Sequence, residues 1–365
     1  MQNFIQTLLS SSMVAVPLIL GMAGAVNAQS AESGTMERAD ADMREVLLSF
    51  KNLGPKPLET LTPEQARQQP TPADAVAALL KTQGKDPAKM RNESRVATQD
   101  VEYAGASGEQ TAARIYKPEG APAQGLPVIL YIHGGGWVIA DLDVYDASPR
   151  ALAAKANALV ISVHYRQAPE HKFPASHDDT FAAYKWVLEN AQRWGGDARR
   201  IAVAGESAGG NMALTVAMAA RDQNLQLPVH IVAVYPVAGT NLDTPSYIKN
   251  ENAMPLSKAG MRWFFKHATT QKDLSDPRLD IVKAADLKGL PPVTLINAEI
   301  DPLLSDGELL AKRLEEAGVR VTAKTYDGVT HEFFGMDAVV KDAAAAQEFA
   351  AQELKSAFGN KSAAQ

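Results

Sequence analysis

The spacing of hydrophobic positions changes near residue 95 of this chain. Before that point, apolar side chains recur at helical spacing, and they are Met36, Met43, Val46, Leu47 and Phe50. Thr62-Pro63 and Thr71-Pro72 each place a capping hydroxyl before a proline, so we predict two further helices, from Pro63 and over residues 72–83. We interpret residues 29–95 as a helical cap region that has no core of its own.

From residue 96 onward, short apolar runs alternate with helical stretches. Val96–Tyr103 and Thr111–Tyr116 are joined through glycines and predict an antiparallel hairpin. Six later runs are hydrophobic throughout, as in parallel strands buried on both faces, and they are Val128–Ile132, Leu159–Val163, Ile201–Ala204, Ile231–Tyr235, Val293–Asn297 and Val319–Thr325. Helices fit between them at Ala147–Ala156, Asp178–Trp194, Ala208–Asp222 and Ser305–Ala317. The pattern predicts an α/β domain over residues 96–358, with a mostly parallel sheet between two helical layers.

The segment 239–290 interrupts this alternation, and we expect it to contribute to the cap. A bound small molecule would then pass between this segment and the cap residues 36–85. Bulky apolar side chains occur on both sides of that passage, and they are Met43, Leu47, Phe50, Met261, Trp263, Phe264 and Phe265. Such a lid predicts a pocket of limited depth and not an open lipid-binding surface.

Residues 1–28 differ from the rest because they contain no Asp, Glu, Lys or Arg. The run from Met13 to Val26 is apolar or small, and Val26-Asn27-Ala28 fits a small-x-small cleavage site. We therefore predict a signal peptide cleaved after Ala28 and an exported protein, periplasmic or secreted. An uncleaved anchor is the alternative, but the apolar core is shorter than the roughly 20 residues that a membrane span needs. We expect no stable membrane anchor.

Composition excludes several classes of protein. Of 365 residues, 46% are hydrophobic and 21% are charged, which is typical of a globular chain. The formal net charge of −6 argues against a nucleic-acid-binding protein, which normally carries a basic face. With no cysteine there is no thiol nucleophile and no thiolate zinc site. The histidines show no ligand spacing such as H-E-x-x-H, so we expect no metal.

The strongest chemical signal is G-x-S-x-G at residues 205–209, directly after a strand pattern and before a helix pattern. That context is the one a nucleophile elbow requires, with Ser207 as the candidate nucleophile. So tight a turn needs residues without bulky side chains near the nucleophile, and Gly205 and Gly209 meet that requirement. Glu206 lies between Gly205 and Ser207. A dinucleotide-binding turn is the alternative, but that motif needs glycine where Ser207 stands.

A glycine-rich motif follows the predicted strand Val128–Ile132, and its residues are His133, Gly134, Gly135, Gly136 and Trp137. Acyl transfer generates an oxyanion, which two backbone N–H groups can stabilise. Glycine permits close approach, and the amide of Ala208 can complete such a hole. We expect His133 to orient the loop by hydrogen bonding and not to transfer protons. An ordinary glycine turn is the alternative interpretation.

A serine triad needs an acid and then a base later in the chain. His331 follows the last predicted strand and the loop 327–330, where a base belongs, whereas His267 lies in a segment expected to form a helix against the cap. Asp301 follows the strand Val293–Asn297 and precedes a proline that would hold it extended. Glu299 is the competing acid, because it lies nearer the predicted end of that strand.

Together these motifs resemble the hormone-sensitive-lipase (HSL) group of α/β-hydrolase esterases, the bacterial HSL-type carboxylesterases. The resemblance covers roughly residues 40–355, and its motifs are HGGGW at 133–137, YRQAPEHKFPASHDD at 165–179, GESAGGN at 205–211, DPLLSDGELLAKRLEEAGV at 301–319 and HEF at 331–333. It implies the α/β-hydrolase fold, Ser207 as nucleophile, Asp301 as acid and His331 as base. It also implies an oxyanion hole made by Gly134, Gly135 and Ala208. This chain departs from the family pattern, which usually has aspartate at the positions of Glu206 and His164 and leucine at that of Gln167.

The expected function is that of a serine esterase that hydrolyses short- to medium-chain carboxylic esters through an acyl-enzyme, without a cofactor. Its partner would be a small-molecule ester and not a nucleic acid, and the sequence leaves the oligomeric state open. An acyltransferase or amidase that uses the same triad is one alternative. A non-catalytic small-molecule receptor, as plant gibberellin receptors are, is another, but those lack the catalytic histidine and His331 is present here.

Overall fold

Eight strands form one sheet in the protein. They are β1 (Val96–Ala104), β2 (Gln110–Pro118), β3 (Leu126–Ile132), β4 (Leu159–Val163), β5 (Gly196–Glu206), β6 (Ile231–Val234), β7 (Val293–Ile300) and β8 (Val321–Thr330). Their order across the sheet is β1-β2-β4-β3-β5-β6-β7-β8. Strand β2 is antiparallel to both of its neighbours, and the remaining neighbouring strands of this sheet are parallel. The computed structural model describes residues 34–359, so the predicted signal peptide and its cleavage site lie outside the described residues.

Helices cover the sheet on both faces, as predicted. They are α1 (Ala41–Asn52), α2 (Pro63–Arg67), α3 (Pro72–Thr82), α4 (Pro87–Glu93), α5 (Ala147–Ala156), α6 (Ala175–Asn190), α7 (Ala208–Asp222), α8 (Pro245–Lys249), α9 (Lys258–Ala268), α10 (Ile281–Ala284), α11 (Leu304–Glu316) and α12 (Lys341–Gly359). Short 3₁₀ helices lie at Leu58–Thr60, Ala191–Trp194, Asp273–Ser275 and Phe333–Gly335. Along β3, Leu130 joins the core with α6, α7 and α11, whereas Ile129 joins the core with α5 and α12. Alternating side chains of β3 therefore pack into two different hydrophobic cores.

The helices before β1 start where the capping residues predict. The hydroxyls of Thr62 and Thr71 accept hydrogen bonds from backbone amides three residues later, at the first turns of α2 and α3. Helix α1 packs against α3 and buries Met43 and Leu47. Helix α9 joins this region, because the indole N–H of Trp263 donates to the carbonyl of Leu61 at 2.9 Å. Helix α4 was not predicted from the sequence.

Several strands are longer than predicted, and the extensions of β7 and β8 affect the site. Strand β7 continues to Ile300, and β8 continues to Thr330. The prediction of a loop at 327–330 was therefore wrong. The physical reason is that β7 supplies pairing partners beyond Ala298, where the register shifts before Ile300 meets Thr330. The residues that follow the two strands, Asp301 and His331, consequently leave the sheet side by side.

Helix α12, with 19 residues, is the longest of the helices α1 to α12. Its alanine-rich face, including Ala343, Ala346 and Ala350, is buried against the sheet. Between residues 34 and 359, no helix combines the length and the apolar character that crossing a membrane would require.

Candidate active site

The turn between β5 and α7 is the strained element at the centre of the site. Ser207 connects them with φ +56° and ψ −118°, a backbone conformation that residues with a Cβ atom rarely adopt. A Cβ atom at Gly205 would lie 2.2 Å from the carbonyl oxygen of Gly209, and one at Gly209 would lie 2.0 Å from that of Ile132. Both positions therefore require glycine. Strain that is maintained in this way indicates a functional residue at Ser207.

Ser207, His331 and Asp301 form one hydrogen-bonded chain. Ser207 Oγ lies 3.0 Å from His331 Nε2, and His331 Nδ1 lies 2.6 Å from Asp301 Oδ2. The other carboxylate oxygen of Asp301 accepts a hydrogen bond from the backbone amide of Leu303 at 2.8 Å. All three side chains are buried, with residue exposures of 5%, 3% and 0%. A nucleophile, a base and an orienting acid in this geometry can perform nucleophilic catalysis.

The surroundings of His331 favour its charged form. Burial lowers the pKa of His331, but Asp301, and after it Glu332 and Glu206, raise the pKa, so that it lies above its ordinary value. The carboxylates around the ring therefore stabilise the imidazolium.

Glu299, the competing acid, points elsewhere. It lies within β7 and its carboxylate accepts hydrogen bonds from Arg38 at 3.1 Å, Lys249 at 3.4 Å and the amide of Gly328 at 3.1 Å. Glu299 stands at the register shift of β7 between Ala298 and Ile300, whereas Asp301 follows the end of the strand. Of the two carboxylates, the structure thus places only that of Asp301 on His331.

The glycine loop lies against the same cavity as the serine. Gly135 has φ +94° and lines the cavity together with Gly136 and Ser207. Gly134 packs against the hydroxyl of Tyr145, which a Cβ atom there would approach to 2.3 Å. Ala208 is the first residue of α7, so its amide has no partner within the helix. The loop amides and the Ala208 amide are the groups available to stabilise an oxyanion beside Ser207.

His133 holds the loop from below. The Nδ1–H group of His133 donates to the carbonyl of Gly134 at 2.8 Å, which leaves Nε2 to accept from His164 Nδ1 at 3.0 Å. Burial lowers the pKa of His133 to about 3, so the ring is neutral. The Tyr165 hydroxyl donates to the same carbonyl at 2.9 Å, and Trp137 is buried against other aromatic rings. These side chains shape the loop.

Glu206 directly precedes Ser207 and does not line the cavity. It accepts hydrogen bonds from the hydroxyls of Tyr131 and Tyr235. Burial, followed by the nearby carboxylate of Glu332, raises the pKa of Glu206 to about 7. The ring of Tyr235 lies 4.5 Å from the ring of His331, so Glu206 connects to the base through an aromatic contact.

A cavity of about 510 Å³ opens above Ser207 and His331. Its walls come from the cap region and from the segment before and within α9. Of the seven apolar residues suggested by the sequence, Phe50, Met261 and Phe264 line it. The other four, Met43, Leu47, Trp263 and Phe265, are buried in the two cores.

Several polar residues of the cavity were not singled out from the sequence, and two of them are hydrogen-bonded to each other. Tyr145 and Glu332 line it, and the Tyr145 hydroxyl donates to Glu332 Oε1 at 2.7 Å. The signals for Glu332 were its place directly after the candidate base and within the HEF motif at 331–333. Among the described residues, no group of three or more histidines and carboxylates is arranged to hold a metal ion.

Known proteins with similar sequences and structures identify the family and the fold of this chain. A family model described as the alpha/beta hydrolase fold matches residues 129–335. The chain is 39% identical over 294 residues to the carboxylesterase NlhH of Mycobacterium tuberculosis. That alignment covers 79% of this chain and 91% of NlhH. It is also 33% identical over 290 residues to an ethyl acetate hydrolase of Pseudomonas putida, and that alignment covers 79% of this chain and 88% of the hydrolase. An esterase structure from Pyrobaculum calidifontis has a TM-score of 0.74 and 33% identity, over 84% of this chain and 96% of that one.

Proposed function

This chain belongs to the hormone-sensitive-lipase-like group of the α/β-hydrolase fold and is a carboxylic ester hydrolase, and on that premise we propose that Ser207, His331 and Asp301 are its catalytic triad. The observation that carries the proposal is the chain of hydrogen bonds, of 3.0 and 2.6 Å, at the floor of the cavity. For Glu299 to act as the acid in place of Asp301, the imidazole ring of His331 would have to lie in a different position.

Acylation begins when His331 Nε2 takes the proton of Ser207 and the serine oxygen attacks the ester carbonyl carbon. The carbonyl π electrons move to oxygen, and the amides of Gly134, Gly135 and Ala208 stabilise that oxyanion. The carbonyl re-forms, the bond to the alcohol oxygen breaks, and His331 gives its proton to the leaving alcohol. Asp301 orients the ring and stabilises the imidazolium throughout.

Deacylation repeats these steps with water as the nucleophile. His331 takes a proton from water, the hydroxide attacks the acyl carbon, and the proton returns to Ser207 as the acid product leaves. The elevated pKa of His331 suits this role, because the imidazolium must form twice in each cycle.

The triad is tested by labelling and by substitution. A phosphonate ester inhibitor should modify the purified enzyme once, and mass mapping should place the modification on Ser207. Ser207→Ala should lose on the order of 10³-fold or more in kcat, because the nucleophile is removed. Full activity of Ser207→Ala toward p-nitrophenyl butyrate would refute the mechanism.

We also propose that the substrates are esters with short and medium acyl chains. The cavity of about 510 Å³ is lined partly by the cap region, and the aromatic rings of Phe50 and Phe264 are among its walls. Each methylene that fits should contribute at most about 0.8 kcal/mol, and the gain should end when the pocket is full. In a p-nitrophenyl series, kcat/KM should peak between acetyl and octanoyl and fall sharply for palmitoyl. Higher activity on emulsified long-chain triglyceride than on dissolved butyrate would contradict this proposal.

Finally, we propose that the protein is exported and has no stable membrane anchor. Support comes from the uncharged, apolar leader that ends in Val26-Asn27-Ala28, in residues outside those described. N-terminal sequencing of the protein from its native host should find Gln29 first, in the periplasmic or extracellular fraction. An intact Met1 on protein from the cytoplasmic fraction would refute export.

A further inference from the structure

Glu332 has a backbone conformation that its side chain makes unfavourable. It follows the catalytic base directly and has φ +72° and ψ 1°, in the left-handed region that favours glycine. A residue with a Cβ atom remains there only when the surrounding structure holds it, and such residues cluster at functional sites. The strained backbone therefore indicates a functional role for the carboxylate of Glu332.

The carboxylate of Glu332 lies beside the working nitrogen of the base. Its Oε1 atom is 3.8 Å from His331 Nε2 and accepts a hydrogen bond of 2.7 Å from the Tyr145 hydroxyl. Its side chain is 22% exposed and lines the substrate cavity. Among the ion pairs of the described residues, His331 is the partner of Glu332, and neither lysine nor arginine neutralises it.

We propose that Glu332 is a positioning residue of ester hydrolysis, whose carboxylate stabilises the His331 imidazolium from the Nε2 side while Asp301 holds the Nδ1 side. The proposal rests on the proposed triad. An opposite charge within about 4–6 Å favours the charged form of a group. Because the imidazolium forms in the transition states of both half-reactions, a carboxylate already held in place by Tyr145 lowers both barriers without reorganising.

Other titratable groups face His331, and the test must separate them from Glu332. Asp301 bonds to Nδ1, Tyr235 lies against the ring, and Glu206 lies behind Tyr235. Substituting Glu332 leaves all three in place. Burial also raises the pKa of Glu332 itself, so its charge and its effect on His331 decline as the pH falls.

The decisive measurement is the pH dependence of kcat and kcat/KM for p-nitrophenyl butyrate in Glu332→Gln. Without the negative charge, His331 loses its proton at a lower pH, so the acid limb of kcat/KM should move down by about 0.5–1 pH unit. At pH 8, kcat should fall about 3- to 10-fold with KM changed less than about twofold, because the lost interaction belongs to the transition state. The variant is then least impaired at acid pH.

Three further variants make the result specific. Glu308→Gln on α11 removes the same charge from an exposed position and should leave the profile unchanged. Glu332→Asp keeps a carboxylate and should restore part of the shift. Glu332→Gly removes the carboxylate and also relieves the left-handed strain, so it should fold at least as stably as the native protein and show the same pH shift as Glu332→Gln.

Two outcomes would overturn the role of Glu332. The first is a kcat loss in Glu332→Gln with an unmoved acid limb, which would indicate a purely structural effect. The second is a profile in Glu332→Gly that matches the native one. Ser207→Ala in the same assay separates failure of the Glu332 proposal from failure of the triad proposal. Full activity of Ser207→Ala would refute the triad itself. An inactive Ser207→Ala together with an unshifted pH profile in Glu332→Gln would refute only the role of Glu332.

Discussion

Replacing Asp301 by asparagine tests the orientation of the base. The two carboxylate oxygens of Asp301 accept two hydrogen bonds, from the Leu303 amide at 2.8 Å and from His331 Nδ1 at 2.6 Å. An asparagine amide offers one oxygen and one NH₂ group. If the oxygen stays on Leu303, the NH₂ group faces Nδ1, and His331 must carry its proton on Nε2. That proton then points at Ser207, and the ring cannot accept the serine proton.

The size of the effect follows from these alternatives. The opposite amide orientation keeps the His331 tautomer but leaves the buried Leu303 N–H facing a donor, which costs about 1–3 kcal/mol. Loss of the orienting carboxylate in a serine triad costs on the order of 10⁴ in kcat. We therefore expect Asp301→Asn to reduce kcat by about 10³- to 10⁴-fold, or about 4–5.5 kcal/mol at 1.36 kcal/mol per factor of ten.

The assay is hydrolysis of p-nitrophenyl butyrate at pH 8, with active sites counted by a phosphonate inhibitor. Glu299→Gln is the matched control, because it changes the competing acid at the end of β7 and leaves the Asp301–His331 bond intact. We expect it to retain kcat within about fivefold, since Glu299 does not touch the base. More than a tenth of native activity in Asp301→Asn, or a larger loss in Glu299→Gln, would refute the reasoning.

Three other predictions follow from the same contacts. The acid limb of kcat/KM should lie above pH 6.5, because the general base must be neutral and the carboxylates raise the pKa of His331 above that ordinary value; a rate still at its plateau at pH 5.5 would contradict this. Gly209→Ala places a Cβ atom 2.0 Å from a carbonyl oxygen and should destabilise the fold by about 3 kcal/mol or more, measured by urea unfolding against Gly359→Ala, another helical glycine, where an added Cβ atom meets nothing within 4 Å. Arg67→Ala loses bonds from α2 to the carbonyls of Val138 and Ala168 and to Glu170, and should lower the free energy of unfolding by about 2 kcal/mol; Arg67→Lys should rescue little of it, because lysine lacks the planar fork.

The elements and the order of the motifs could be predicted from the sequence because they depend on local chemistry. Apolar runs buried on both faces predict parallel strands, and the structure confirms each of them, with the predicted ends for β4 and shifted ends for the others. The elbow at Ser207 was predictable because Gly205 and Gly209 satisfy a steric requirement within five residues. The chain order of nucleophile, acid and base left His267 and His331 as candidate bases, and the helical pattern around His267 favoured His331.

The tertiary structure decided what depends on pairing and on side-chain direction. Strand ends are set by neighbouring strands, so the extension of β8 to Thr330 required its register with β7. The same pairing determines where the chain leaves the sheet, and thereby brings Asp301, and not Glu299, to His331. The hydrogen bond from Tyr145 to Glu332 joins residues 187 positions apart, a separation over which no sequence pattern carries information. Contacts between residues distant in sequence depend on the complete fold, because only packing brings them within a few ångströms of each other.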